Sequence, residues 1–434
     1  MANEVEYLSG FGNEHATEAE PETLPVGQNS PQRVAHDLYA EQLSGTSFTM
    51  PRALNRRTWM YRVRPSVRHV TGLQEIDAGQ LRTSPSREAK APVSQLRWSP
   101  IPIDPDASST WVEGLHTVAT NGDAHLQVGA ATHLYLATRS MVDEVFVDAD
   151  GELLIIPQDG GLRFVTELGV IEARPSEIVV IPRGIKFRVE LLDDTAYGYV
   201  CENYGAPLEL PDPGPIGLNA MALPRDFLYP TAACEADRPT RLIFKYDGRL
   251  LATDLEHTPL DVVAWHGNNA PYKYDLRAYC PVGPVLFDHP DPSIWTVLTS
   301  SSDTPGRANL DVVLFRERWL VAENTFRPPW FHSNVMSELM GNIEGVYDAK
   351  LEGFLPGGIS IHNAFLPHGP DNEAFTRGTS AELEPVRMDD FLAFMFESRY
   401  AWIPTEWSIE RPQLQTDYAA HWAPLDRVTN LSKP

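Results

Sequence analysis

EVFVDADGELLIIPQDGGLRFVTELGVIEARPSEIVVIPRGIKFRVELL, from Glu144 to Leu192, decides the fold class. Short runs of Val, Ile, Leu and Phe are broken by Asp-Gly, Gly-Gly and Pro. Each run is too short for a helix and is bounded by turn residues, so each reads as a strand. Strands that follow one another this closely pair antiparallel, as a sandwich or a small barrel. HLYLA (His133 to Ala137) extends the pattern upstream.

Residues 1 to about 110 carry many Pro, Asn and Arg punctuators, with TWMYRVRPSV (Thr58 to Val67) as a strand-like run. Downstream, Glu202 to Phe227 is rich in Pro and Gly and reads as a long surface connection, in or after which a domain boundary falls. Strand-like runs resume over Val282 to Thr299, Leu310 to Val321 and FLAFMFESRYAW (Phe391 to Trp402). At 434 residues the chain exceeds one ordinary core, so two β-rich units are expected.

Lys and Arg total 35 against 59 Asp and Glu, a formal net charge of -24. That field repels nucleic acid and anionic lipid, so neither is an expected partner. No run approaches the roughly 20 apolar residues of a membrane span. MANEVEYLSGFGNEHATEAE lacks the basic and apolar regions of a signal peptide. Cys201, Cys234 and Cys280 form no CxxC pair or disulfide framework, which suits a reducing cytoplasm.

RPPWFHSNVMSELMGNIEGVYDAKLEGFLPGGISIHNAFLPHGPD (Arg327 to Asp371) holds three of the thirteen histidines. His332, Glu338 and His368 are two imidazoles and a carboxylate, the set that caps one face of non-heme iron(II) and leaves positions open. The even step from His332 to Glu338 puts both side chains on one side of an uninterrupted strand. His368 comes from LPHG, a turn that aims it back at the site, while His362 competes for that role or stands behind it. HExxH is absent, which disfavours a zinc hydrolase. His-x5-Glu is a common spacing, so these residues alone also fit ordinary polar strand ends.

In FDHPDPSIW (Phe287 to Trp295), His289 between Asp288 and Asp291 suits either an acid or base near neutral pH or a capped proline turn. Tyr347 in GVYDAK reads by default as a surface tyrosine. A weak internal echo links Leu154, Gly161 and IPRG (Ile181 to Gly184) to Glu338, Gly345 and LPHG. If two copies of one barrel are present, His332, Glu338 and His368 correspond to Asp148, Leu154 and Arg183, and the first copy cannot bind the metal.

Long words run nearly end to end: YLSGFGNEHATEAE (Tyr7 to Glu20), LPVGQNSPQ, LYAEQLSGTSFT, LPDPGPIG, VVAWHGNNAPYKYDL, FDHPDPSI, FRPPWFH, EGFLPGG, PHGPD and FMFES. In these the chain resembles the homogentisate 1,2-dioxygenase family. The resemblance implies a mainly β fold, with an N-terminal sandwich or barrel-like domain (1-280) and a C-terminal cupin-like barrel (281-434). It implies Fe(II) on His332, Glu338 and His368, His289 as acid or base, and Tyr347, His362 and His368 around the substrate. It also implies a homohexamer of two trimers, and the conversion of homogentisate and O2 to maleylacetoacetate in tyrosine and phenylalanine breakdown. Ser333, where Arg is usual, Leu339, where Phe is frequent, and the NAFL turn depart from the family pattern and put the wall of the pocket in question. Gentisate is the nearest alternative substrate. Outside this chemistry stand a binding protein with a structural metal and an oxygen-independent cupin isomerase or hydrolase.

Overall fold

A computed structural model describes residues 5–104, 106–213, 222–288, 295–346 and 353–426. The fold is mainly β, as expected. The strands around the site are, in chain order, β1 (Leu96–Trp98), β2 (Leu115–Asp123), β3 (Val128–Ala137), β4 (Glu144–Asp148), β5 (Glu152–Asp159), β6 (Glu177–Ile181), β7 (Ala196–Asn203) and β8 (Thr240–Tyr246), followed by β9 (Thr296–Ser300), β10 (Leu310–Leu320), β11 (Ser337–Glu344), β12 (Ile359–His362), β13 (Val386–Ser398) and β14 (Ile403–Pro404). Every run of the opening stretch forms a strand: Glu144–Asp148, Glu152–Asp159 and Glu177–Ile181 are covered on both faces, whereas Leu162–Thr166 and Gly169–Ala173 alternate buried and half-buried residues. Asp247 and Gly248, both at positive φ, make the tight hairpin after β8.

The first half contains an antiparallel run in the order β6-β5-β7-β3-β2, and the second half repeats it as β12-β11-β13-β10-β9. Even the irregularities repeat. The β5–β7 ladder slips between Pro157 and Asp159, and the β11–β13 ladder between Asn342 and Glu344. The β2–β3 ladder slips between Thr117 and Ala119, and β9–β10 between Thr296 and Leu298. Aligning these bulges corrects the equivalence expected from the glycines: Glu338 matches Leu153, one residue before Leu154. The backbone of Asp148 meets Gly184 as that of His332 meets His368, so Gly184 rather than Arg183 takes the last position.

The two repeated sheets pack face to face. Tyr199 donates to the carbonyls of Asn342 and Gly358, both at 3.0 Å, and lays its ring on the edge of Phe394 at 4.8 Å. Leu339, Phe394 and Phe396 belong to the large core shared by both halves. Met340, Met395 and Val313, on the opposite face, form a smaller cluster inside the second half. Strands also cross between halves: β1 pairs with β12, and β14 pairs with β2. The segment expected to lie on the surface after β7 is partly interior instead. Tyr204, Leu208, Ala222 and Phe227 are buried, and Phe227 stacks on Tyr274 at 4.4 Å, because its apolar side chains close the end of the first sheet.

Candidate metal centre

Glu338 is the second residue of β11, where strand alternation turns it away from the shared core. Across the ladder it lies opposite His362 on β12 and Glu397 on β13. His332 precedes β11, and the expected uninterrupted strand is broken: residues 333–336 lie outside any strand and the chain bends at 335–336. Asn334 holds the bend, its side-chain carbonyl taking the Met336 N–H and its amide donating to Glu338 Oε1 at 2.9 Å and Glu397 Oε1 at 3.1 Å.

His332 and His368 still face each other, because their backbones form an isolated antiparallel bridge. The turn that returns His368 carries Phe365 at φ 59 and is tied down by Asn363, whose amide group exchanges hydrogen bonds with the Trp402 backbone at 2.8 and 3.0 Å. Asp371 then caps helix α1 (Asn372–Ser380) by accepting from Ala374 N–H at 2.7 Å.

The ligating atoms of His332, Glu338 and His368 all lie within 4.8 Å of one another. His368 Nε2 is 3.2 Å from the Glu338 carboxylate and His332 Nε2 is 3.8 Å from it. On the far side of each ring, Nδ1 donates to a carbonyl two residues back, Trp330 at 2.8 Å and Leu366 at 3.0 Å. This fixes the tautomer that leaves Nε2 as the free donor atom, the usual support for an imidazole ligand. The His332 side chain keeps 32% exposure, so the triad opens on that side.

Burial pushes the Glu338 carboxyl up, but its contacts with His332, His362 and His368 outweigh burial and hold it well below the carboxylate range. His332 is raised by its contact with Glu338, against the effect of burial. The contact favours a protonated His332 beside an ionised Glu338, so a metal binding there would compete with that proton. Burial, then the charges of Glu338 and Asp311, push Glu397 up to about 8, so beside the anionic Glu338 it stays neutral around pH 7.

His362 is brought to the site but does not join the mutually close set. Its Nδ1 is 3.6 Å from Glu338 Oε2, its ring stacks on His368 at 4.6 Å, and its Nε2 meets the Tyr418 hydroxyl at 3.0 Å. Burial pushes the Tyr418 hydroxyl up, so it stays a neutral phenol against His362 Nε2, while Nδ1 faces the triad. Tyr418 lies under the Arg97 guanidinium, 4.1 Å from its ring centre. His289 and Tyr347 lie outside the described residues. Ser333 is exposed, and Leu339 faces the shared core, so Leu339 does not line the metal pocket as its position beside Glu338 suggested.

Asn334, Glu397 and Tyr418 were missed. Asn334 sits between two predicted ligands and Glu397 lies in the FMFES word, so both had a signal; Tyr418 lies 80 residues beyond Glu338 and had none.

Two family models cover the chain: homogentisate 1,2-dioxygenase N-terminal over residues 6–276 and homogentisate 1,2-dioxygenase C-terminal over 277–429. A homogentisate 1,2-dioxygenase of Nitrobacter hamburgensis is 58% identical over 429 residues, covering 99% of this chain and 96% of that protein. Proteins of the same name from Rhodopseudomonas palustris and Bradyrhizobium diazoefficiens are 57% and 56% identical over the same coverage. Among solved structures, a cupin 2 conserved barrel domain protein from Leptotrichia buccalis (TM-score 0.29, 8% identity, 65% of this chain and 88% of that one) and Bacillus subtilis oxalate decarboxylase (TM-score 0.30, 11% identity, 78% and 86%) are distant likenesses that carry no functional weight. The family models and the full-length relatives agree, and the chain belongs to the homogentisate 1,2-dioxygenase family of oxidoreductases.

Proposed function

We propose that the chain cleaves the ring of homogentisate with O2 to give maleylacetoacetate, in tyrosine and phenylalanine breakdown, using Fe(II) held by His332, Glu338 and His368. The observation that carries this reading is the orientation of the two imidazoles: both Nδ1 atoms are spent on backbone carbonyls, and both Nε2 atoms converge on one buried carboxylate. Two neutral nitrogens and one anion suit iron(II) and leave half its coordination sphere for substrate and oxygen. Bound iron supplies the electron transfer that lets O2 react with a closed-shell aromatic ring.

The chain's own residues do the rest. Glu338 lends the single negative charge that anchors the cation, and Asn334 keeps its carboxylate turned toward the histidines. His362, held by Tyr418 on Nε2, turns its Nδ1 toward the triad. His289 takes the phenolic proton and Tyr347 contacts the ring, two roles that rest on family resemblance. The division at 280/281, the homohexamer of two trimers and the cytoplasmic location belong to the same reading.

Iron-loaded protein should consume O2 and form maleylacetoacetate with homogentisate, and do so far more slowly with gentisate. Glu338→Gln should lose most of its iron and His289→Ala should keep it without turnover. Full iron and full oxygen uptake in Glu338→Gln would overturn the triad.

A further inference from the structure

The first half carries its own polar cluster where the second half carries the triad. Leu153, the counterpart of Glu338, lies opposite Glu202 on β7 as Glu338 lies opposite Glu397 on β13. Asp148, the counterpart of His332, accepts the Gly184 N–H on its backbone carbonyl at 2.8 Å, and its carboxylate caps the turn that carries Asp150. The carboxylates of Asp148, Asp150 and Glu202 each offer an oxygen within 4.8 Å of the others. All three side chains are at most 7% exposed.

Three buried carboxylates in such proximity repel one another, and burial with the Glu202 charge beside it pushes the Asp148 carboxyl well up; only a cation among them favours all three as ions. The cation is covalent. β8 runs parallel to β4 with Lys245 directly opposite Asp148, and it sends the Lys245 ammonium into the centre of the cluster. Nζ is 2.9 Å from Asp150 Oδ2 and 3.7 Å from Asp148 Oδ2, and it hydrogen-bonds Glu202. Burial works against this charge, but the carboxylates outweigh it and raise the ammonium above its ordinary range. The other Glu202 oxygen meets His133 Nε2 at 3.2 Å, and that ring is itself held by Thr117 Oγ1 at 2.9 Å. Carboxylate supported by imidazole supported by hydroxyl is the layered arrangement that surrounds bound cations.

We propose that Lys245 is a built-in cation standing in the first half where the second half takes its metal, so that deleting the ammonium exposes a divalent-cation site made of Asp148, Asp150 and Glu202. An all-oxygen set favours a hard ion such as Mn(II) over the softer requirements of the histidine triad. The proposal relies on the reading of the triad as a metal centre only for the equivalence of the two places.

Full-length Lys245→Ala and the unaltered chain are saturated with Mn(II), gel-filtered and assayed for manganese per chain. Lys245→Ala should retain one more ion per chain than the unaltered protein, and adding Glu202→Gln should abolish the gain. The same comparison in a Glu338→Gln background removes the triad's own ion, so failure of the triad shows as no ion in the unaltered chain, whatever Lys245→Ala does. A folded Lys245→Ala protein with no additional ion overturns the proposal. Should Lys245→Ala not fold in chelator, its recovery from urea with Mn(II) relative to EDTA should exceed the unaltered chain's ratio by about tenfold. Equal ratios overturn it as well.

Discussion

His332 and His368 exchange both backbone hydrogen bonds, N–H to C=O at 2.9 Å in one direction and 3.0 Å in the other. Two imidazoles from opposite ends of a long excursion are thereby set before any metal arrives, which lowers the ordering cost of binding. Gly369, next in the chain, packs against Phe331: a Cβ there would lie 2.6 Å from Phe331 Cδ1 and 2.9 Å from its Cα. Gly369→Ala should push the two segments apart and weaken Fe(II) binding about 10–100-fold with every ligand still present, the range seen for loss of ligand-orienting contacts. Titration of the metal-free protein with Fe(II) under argon reads this directly, and unchanged affinity would show that the bridge does not set the site.

Tyr418 should act on substrate handling rather than on metal content. Its hydroxyl holds His362 Nε2, and the other ring nitrogen faces Glu338. Tyr418→Phe removes one buried hydrogen bond, worth roughly 1–1.5 kcal/mol, so kcat/KM for homogentisate should fall about tenfold. Iron per chain should not change. Iron loss in Tyr418→Phe would bring His362 into the metal's own ligand set.

Leu339→Phe enlarges a side chain at a position with no exposed surface and an apolar environment shared by both halves. Enlarging a filled core costs about 1–3 kcal/mol unless neighbours yield. The expected result is a lower Tm with an unchanged homogentisate KM. A shifted KM would mean that the face assignment of β11 is wrong.

Glu152 gives the first half a pH dependence of its own. Burial pushes its carboxyl from an ordinary value near 4.5 up to about 7, against hydrogen bonds from Leu208 N–H and Asn203. The folded state therefore holds this proton more tightly than the unfolded chain. Its contribution to stability is whole below pH 4.5 and is lost as pH rises through about 7. Glu152→Gln, which cannot ionise, should flatten the fall in stability across that window by roughly 2–3 kcal/mol. Urea unfolding at pH 5 and pH 8 checks it: the same pH slope in both proteins would assign the dependence to other groups.

The strands of Glu144 to Leu192 were legible because turn residues and β-branched runs alternate there without interruption. The triad was legible as residue types, since His332, Glu338 and His368 lie in one short stretch. Its mechanical basis was not. An even spacing suggested one continuous strand, whereas Asn334 bends the chain and a backbone bridge realigns it, a tertiary device with no local signature. The internal echo was visible through glycines but misplaced by one residue, because glycine positions track turns whereas side-chain facing is set by ladder register. Lys245 was invisible for a related reason: its partners converge only once β8 lies along β4.

The crossing of β1 into the second sheet and of β14 into the first makes a scissors problem of any attempt to divide this protein. A cut between residues 276 and 277, where the family models meet, leaves each fragment with a strand whose edge partner has gone to the other piece. Bare edges of this kind seek other chains. Neither half is therefore a transplantable piece by itself, and the second half grafted alone onto another scaffold should arrive as an aggregate.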